Sequence, residues 1–170
     1  MGNSFTRRDL FRYALGVIGG LIGAGVGIPV IGYFTAPARA EKHQETWQAL
    51  GMMSEFPLGI PQMVQFEHRF KDGWEAKVLK RGVWVVRTGE KDFTIYNPKC
   101  PHLGCVVNWH PETRTLNSPC HGGVFALDNG RVLAGPPPRP LDTLEWKGED
   151  GILYCAYKDF QVGLPYKKEL

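Results

Sequence analysis

The first pattern along the chain is a switch from charged to uncharged. Arg7, Arg8, Asp9 and Arg12 crowd the start, and then no charge appears from Tyr13 to Phe34. About 22 uncharged residues suffice to cross a hydrocarbon core of roughly 30 Å as a helix. A helix satisfies its own backbone polar groups, so one such segment spans lipid unaided. Arg7, Arg8 and Arg12 lie on one side of it, which places the N-terminus in the cytoplasm and the remainder on the outer face. Gly16-x-x-x-Gly20 and Gly19-x-x-x-Gly23 suit close helix packing within lipid, and Pro29 would kink the span or mark its late portion. Arg7-Arg8 before a weakly apolar span also fits a twin-arginine export signal, and Ala38-Arg39-Ala40 could pass for a cleavage site. The length of the span favours an uncleaved anchor. The expected organisation is a cytoplasmic segment over 1–12, an anchor over 13–34, a tether over 35–50 and one domain over 51–170.

Beyond Val64 the period changes to that of strands. Pro37 to Gln44 is polar and aperiodic, and Glu45 to Gly51 has room for one helical turn. Trp74–Lys80 and Val83–Arg87 read as strands flanking a turn at Arg81-Gly82. Phe93–Tyr96 is a further strand, ending at Asn97-Pro98. Gly122–Leu127 and Arg131–Ala134 flank Asp128-Asn129-Gly130, a hairpin turn signal. Ile152–Tyr157 closes the sheet. Several short strands separated by turns predict a mostly β domain, an antiparallel barrel or sandwich. With 21 Gly and 13 Pro, composition also favours a loop-rich β domain over a helical bundle. A net charge of +3 points to no nucleic acid or other polyanionic partner.

Two loops between these strands carry the chemistry. Cys100-Pro101-His102-Leu103-Gly104-Cys105 comes first, and Ser118-Pro119-Cys120-His121-Gly122-Gly123 follows. Cys and His at x-spaced positions of two loops read as a metal site. A zinc ribbon is disfavoured, because its ligands come as Cys-x2-Cys knuckles. Two histidines beside thiolates suit a [2Fe–2S] centre of the Rieske kind, in which His replaces Cys on one iron. Pro98, Pro101 and Pro119 stiffen the loops, and Gly104, Gly122 and Gly123 let backbone approach the sulfurs.

Over residues 93–141 the chain resembles the Rieske iron–sulfur subunits of quinol–cytochrome c reductases. The motif is C-x-H-x-G-C, then x-P-C-H-G, then Gly135-Pro136-Pro137-Pro138-Arg139-Pro140. The resemblance implies a Rieske-type fold with a cluster-binding loop subdomain, and a Rieske [2Fe–2S] cofactor. It implies that Cys100 binds the buried iron, and that His102 and His121 bind the exposed one. It pairs Cys105 with Cys120 as a disulfide joining the loops. It puts Leu103 at the loop tip against a quinone pocket, and lays the loop containing Pro137 over the cluster, with Gly104 and Gly122 beside it. His121 or His102 would accept a hydrogen bond and then a proton from quinol. The partners implied are a cytochrome b-type subunit, a c-type cytochrome, quinol and membrane lipid, with the domain moving on its tether between them.

The sequence departs from that pattern at three positions. Ser118 stands where the second thiolate ligand is expected. Ser118 could ligate as an alkoxide, Cys120 could replace it and leave Cys105 unpaired, or the cluster could be labile or absent. Gly123 and Phe125 stand where high-potential members carry Ser and Tyr, whose hydroxyls donate to cluster sulfurs. Fewer such donors lower the potential, which matches menaquinol as the donor. Two rivals share the export signal or the fold: the small Rieske subunit of a molybdenum oxidase such as arsenite oxidase, and a clusterless structural subunit.

The remaining candidates carry bland readings. Cys155 lies in a strand pattern and reads as a buried structural thiol, with a replacement ligand or bridge partner as the sharper alternative. His43, His68 and His110 read as surface residues, Trp109 as core, and Arg139 as either a local ion pair or a partner contact.

Overall fold

The computed structural model describes residues 6–39, 47–72 and 75–170. The N-terminal unit is one helix, α1 (Arg7–Arg39). It starts on a reciprocal cap. Asp9 N–H donates to Thr6 Oγ1 at 3.3 Å, and Thr6 N–H donates to Asp9 Oδ2 at 3.2 Å, so two otherwise orphaned donors are satisfied. Arg7–Thr35 is long and apolar enough to cross a membrane, and its large apolar side chains are exposed. The expected tether is corrected at its start. Pro37, Ala38 and Arg39 belong to α1, with alanine and arginine favouring helix and Pro37, which has no N–H to donate, falling in the last turn. Residues 40–46, the middle of the expected tether, with His43, lie outside the described residues, and its end, 47–50, belongs to the first strand of the domain.

The second unit, Glu45–Leu170, is built of strands. They are β1 (Trp47–Met52), β2 (Gln62–Asp72), β3 (Glu75–Arg87), β4 (Phe93–Tyr96), β5 (Asn108–His110), β6 (Thr115–Ser118), β7 (Gly123–Ala126), β8 (Val132–Ala134), β9 (Thr143–Glu149) and β10 (Ile152–Ala156). Six form one sheet in the order β1-β10-β9-β4-β3-β2, and four form a second in the order β5-β6-β7-β8. Every paired strand is antiparallel. The edge strands β1 and β2 approach each other, so the larger sheet nearly closes on itself.

Alternation along β3 and β4 organises the core. Val83, Val85, Phe93 and Ile95 point into a core with Leu50, Phe56, Leu144, Leu153, Cys155 and Phe160. Their neighbours Trp84, Val86 and Tyr96 point the other way, into a second core with Cys100, Val107, Leu116, Phe125 and Leu141. Successive side chains of a strand face opposite ways, so a continuous apolar run marks a strand buried on both faces. Trp84 Nε1 donates to the Val107 carbonyl at 3.0 Å, and the Tyr96 hydroxyl donates to the Leu127 carbonyl at 3.0 Å. Both bonds fasten the small sheet and its loops to the large sheet.

Three sequence expectations change. Trp47–Met52 is a strand, where a helical turn was expected over Glu45–Gly51; it pairs with β10 from Trp47↔Ala156 to Met52↔Ile152. β10 therefore lies inside the sheet, between β1 and β9, and does not close it. Arg81-Gly82 is not a turn, because β3 runs through it, paired Phe66↔Arg81 and Gln65↔Gly82. A Cβ at Gly82 would lie 3.1 Å from Met63 Sδ, so this glycine serves close cross-strand packing. β2 ends at Asp72 and β3 begins at Glu75; residues 73–74, with the expected strand residue Trp74, lie outside the described residues.

Candidate metal centre

The first loop runs between β4 and β5 and is tied to itself. Cys100 N–H donates to the Cys105 carbonyl at 2.8 Å, and Gly104 N–H donates to the Cys100 carbonyl at 2.9 Å. Val107 N–H donates to the Pro98 carbonyl at 2.8 Å and closes the base. Cys100 is 2% exposed at the foot of this loop, and Leu103 is 60% exposed at its tip.

The second loop is the turn of the β6–β7 hairpin. Ser118 pairs with Gly123, leaving Pro119, Cys120, His121 and Gly122 to make the turn. Cys105 and Cys120 form the disulfide that joins the loops, with Cα atoms 6.4 Å apart. The His102 and His121 rings meet edge to face, with centroids 4.7 Å apart. His121 is exposed and His102 is half-buried.

The third loop, between β8 and β9, lies on the second. Gly135 has φ +88°, and a Cβ there would fall 2.5 Å from the Gly122 carbonyl oxygen, so only glycine fits. Buried Pro137 packs so near Gly123 that a Cβ at Gly123 would meet Pro137 Cγ at 2.8 Å. The ring thus occupies the room that a serine side chain at position 123 would need. Phe125 is fully buried and presents no hydroxyl.

Two braces hold this region: the Arg139 ion pair, one of two alternatives that the sequence leaves open, and the Asp159 network, which the sequence does not foreshadow. The buried Arg139 guanidinium donates to Asp142 through Nε at 3.0 Å and Nη2 at 2.7 Å, and to the Gln161 and Leu164 carbonyls. Arg139 is therefore a local ion pair. Asp142 at i+3 was the available signal. The C-terminal segment also reaches the first loop, where Gly163 N–H donates to the Pro101 carbonyl and Asn97 Nδ2 donates to the Lys158 carbonyl. Beside it, Asp159 takes bonds from Lys99 and Tyr157 and pairs with Arg81 at 3.1 Å. Burial pushes the Asp159 carboxyl up. The bonds from Lys99 and Tyr157 and the charges of Lys99 and Arg81 outweigh it, so the net shift is downward. Nothing in the sequence joins these positions, since the contacts span about sixty residues.

The other candidates fall away from the loops. Cys155 is in the first core, among apolar side chains, and burial pushes its thiol up to about 12. His110 Nδ1 lies 2.9 Å from Glu112, and Trp109 packs against the second core. His68 is not a plain surface residue, because its ring lies 5.4 Å from that of Tyr157.

These donors fit a two-iron cluster better than a single ion. Among the described residues no three His, Cys, Asp or Glu side chains gather for one metal ion, whereas a zinc site needs three or four. A Rieske cluster divides its ligands in pairs between two irons. The structure offers two imidazoles against each other, a buried thiol and a buried hydroxyl. Buried His102 Nδ1 and Ser118 Oγ, one from each loop, have no hydrogen-bond partner in the protein. Arg81 Nε and Asn117 Oδ1 are unpartnered too, so the two loop orphans suit a ligand because they accompany the paired imidazoles, not by being orphans alone.

The Rieske [2Fe–2S] domain family matches residues 46–145. A menaquinol:cytochrome c reductase iron–sulfur subunit of Geobacillus thermodenitrificans is 32% identical over 89% of this chain and 90% of its own length. A cytochrome b6-f complex iron–sulfur subunit of Chlorobaculum tepidum is 31% identical over 91% of this chain and 77% of its own. The soluble domain of Rieske protein II from Sulfolobus acidocaldarius shares the fold, with a TM-score of 0.50 at 17% identity over 75% of this chain and 87% of that one. The cofactor of this domain is accordingly a Rieske [2Fe–2S] cluster. The chain belongs to the Rieske iron–sulfur subunits of the bc-type quinol–cytochrome c reductases.

Proposed function

We propose that this subunit takes an electron from quinol, with the proton going to a loop histidine, and delivers the electron to a c-type cytochrome. The observation that carries this reading is the His102–His121 pair on joined loops, next to the exposed apolar tip Leu103. Cys100, His102 and His121 would hold the cluster, which supplies one-electron redox chemistry when bound. The fourth donor comes from the second loop.

The chain's own residues do the rest. His102 Nδ1 is buried and unpartnered, which suits it to face iron and leaves Nε2 to face quinol. His121 is the more exposed imidazole, so its outer nitrogen is the better acceptor of the quinol hydroxyl proton. Leu103 offers apolar surface to a quinone pocket in a cytochrome b-type partner. The disulfide, Pro137 and Gly135 hold the loops at fixed spacing, and Cys100 is buried at the foot of the first loop.

Two observations support menaquinol as the donor. The menaquinol:cytochrome c reductase subunits are similar over about nine-tenths of the chain. Pro137 and Phe125 also leave no hydroxyl to donate to cluster sulfur, which keeps the potential low. The arginines at the start of α1 support a cytoplasmic N-terminus and an outer-face domain, and the disulfide suits that oxidising side. The polar, aperiodic sequence between α1 and the domain suits a tether on which the domain would move between partners.

The test is quinol–cytochrome c reductase activity of the purified membrane complex. The expected result is copurification of b- and c-type haems, turnover with menaquinol, and its loss in His121→Ala. Normal turnover in the variant would remove the histidine from its role. A midpoint potential as high as that of ubiquinol-using members would remove menaquinol.

A further inference from the structure

We propose that Ser118 Oγ is the fourth protein ligand of the cluster, binding it as an alkoxide. The inference rests on the electron-transfer reading above and sharpens it. It starts from the second loop's one buried donor. Ser118 is 3% exposed, and its hydroxyl finds no partner in the protein. A bare buried hydroxyl costs roughly 1–3 kcal/mol, and alanine would avoid that cost at little loss of packing. A serine kept there for structure alone is therefore poorly explained.

The competing donors are engaged elsewhere. Cys120 is exposed and joined to Cys105, so it would reach iron only by breaking the bond that fastens the loops. Cys155 is a free thiol, but it belongs to the core on the opposite face of β3 and β4. Cys100, the other free thiol, belongs with the loops. Position 118 is also held in place. It ends β6, pairs with Gly123 across the hairpin, and lies under a turn on which Gly135 and Pro137 sit. A fixed backbone with a buried, unpartnered oxygen suits a ligand, since no loop movement is needed for binding.

The chemistry balances without redox change. As a preformed [2Fe–2S] unit enters, an Fe–O bond to Ser118 forms and the ligand that iron carried before leaves. The hydroxyl proton passes to solvent, as ligand protons do on metal binding. An alkoxide is a harder donor than thiolate and favours ferric iron, so the potential falls below that of the all-cysteine pattern. Ser118, Gly123 and Phe125 then all act in the same direction.

The experiment compares the wild-type chain with Ser118→Ala and Ser118→Cys, each full length and purified anaerobically in detergent. Iron and acid-labile sulfide, EPR of the dithionite-reduced protein, redox titration and thiol alkylation are read. About two irons per chain are expected in the wild type. Ser118→Ala should load at least about tenfold less, because loss of even a supporting partner costs ~10–100-fold in metal affinity. Its circular dichroism and its Cys105–Cys120 disulfide should be unchanged, which separates loss of a ligand from loss of the fold. Ser118→Cys should load fully, with altered g-values and a higher midpoint. Wild-type iron and EPR in Ser118→Ala would overturn the assignment and leave the electron-transfer reading standing. A free Cys105 thiol in loaded protein would overturn it in favour of Cys120. A wild type without iron beside a loaded Ser118→Cys would overturn both readings together.

Discussion

The two cores on either face of β3 and β4 are built from the same strands and do different work. The first is closed and apolar, and its one thiol, Cys155, is pushed up to about 12 by burial alone. The second holds Cys100 at the foot of a loop, and its rim carries His102 Nδ1 and Ser118 Oγ without partners. Burial by itself therefore does not mark a site. Two unsatisfied polar groups on joined loops, beside a pair of imidazoles, are a stronger sign than Arg81 Nε or Asn117 Oδ1, which lack a partner singly. The second core also needs outside braces, and breaking these should cost more than trimming the first.

The largest effect is expected at Arg139. Removing one partner of a buried pair costs about 3–5 kcal/mol, because the other charge is left buried. Arg139→Met would strand the Asp142 carboxylate and release the Gln161 and Leu164 carbonyls. Urea unfolding of the variant should show that loss, and a change under about 1 kcal/mol would mean the pair is a passive contact. The disulfide comes next. It closes a loop with a sequence separation of 15, for which chain entropy alone gives about 3 kcal/mol. A Cys105→Ala/Cys120→Ala double variant should lose stability by that order and lose cluster binding first, since the sheet core does not depend on the bond. Equal loss of cluster and sheet in one step would join the two cores into one cooperative unit.

How far this comparison was legible in the sequence depends on the range of the interactions. Phe93–Tyr96 and the Asp128-Asn129-Gly130 turn are set by local chemistry, and both form as expected, with Gly130 N–H donating to the Ala126 carbonyl at 3.1 Å. The disulfide follows from the motif resemblance, and the structure forms it. Strands β5 and β6 gave no alternating signal because they are only 3 and 4 residues long, whereas β9 does alternate, Leu144 and Trp146 against Glu145 and Lys147, and was passed over. β1 was hidden because its partner β10 lies about a hundred residues away. Gly82 looked like punctuation because a glycine chosen for cross-strand room and one chosen for a turn are written alike. The Arg139–Asp142 pair is local and was among the readings, whereas the Arg139 bonds to the Gln161 and Leu164 carbonyls and the Asp159 contacts with Lys99 and Arg81 were hidden by distance.

A smaller contrast separates the two free thiols. Cys155 is fully buried with a raised thiol, so it should resist alkylation of the native protein up to strongly alkaline pH. Cys155→Ser should destabilise the fold by about 1–3 kcal/mol, since a hydroxyl there has no partner. The same substitution at Cys100 should act chiefly on cluster content. Mass spectrometry after native alkylation checks the first point, and modification of Cys155 at neutral pH would show that the first core opens locally.

The smallest effect is the acid response of the Asp159 network beside the first loop. Burial raises this carboxyl, but bonds from Lys99 and Tyr157 and the charges of Lys99 and Arg81 lower it further, to a net value below the ordinary 3.8. A carboxyl whose folded value is depressed binds fewer protons in the folded state than in the unfolded one. Its stabilisation is therefore fully present above the ordinary carboxylate range and is lost as pH falls through the folded value. The network is partly exposed, so salt screens it and the effect is modest. Comparing the pH dependence of unfolding in wild type and Asp159→Asn should show the two curves converging below about pH 4 and separating above it. Curves that stay parallel down through that range would mean the carboxylate's charge contributes nothing, and that Lys99 and Tyr157 hold the C-terminal segment to the loop by their neutral contacts.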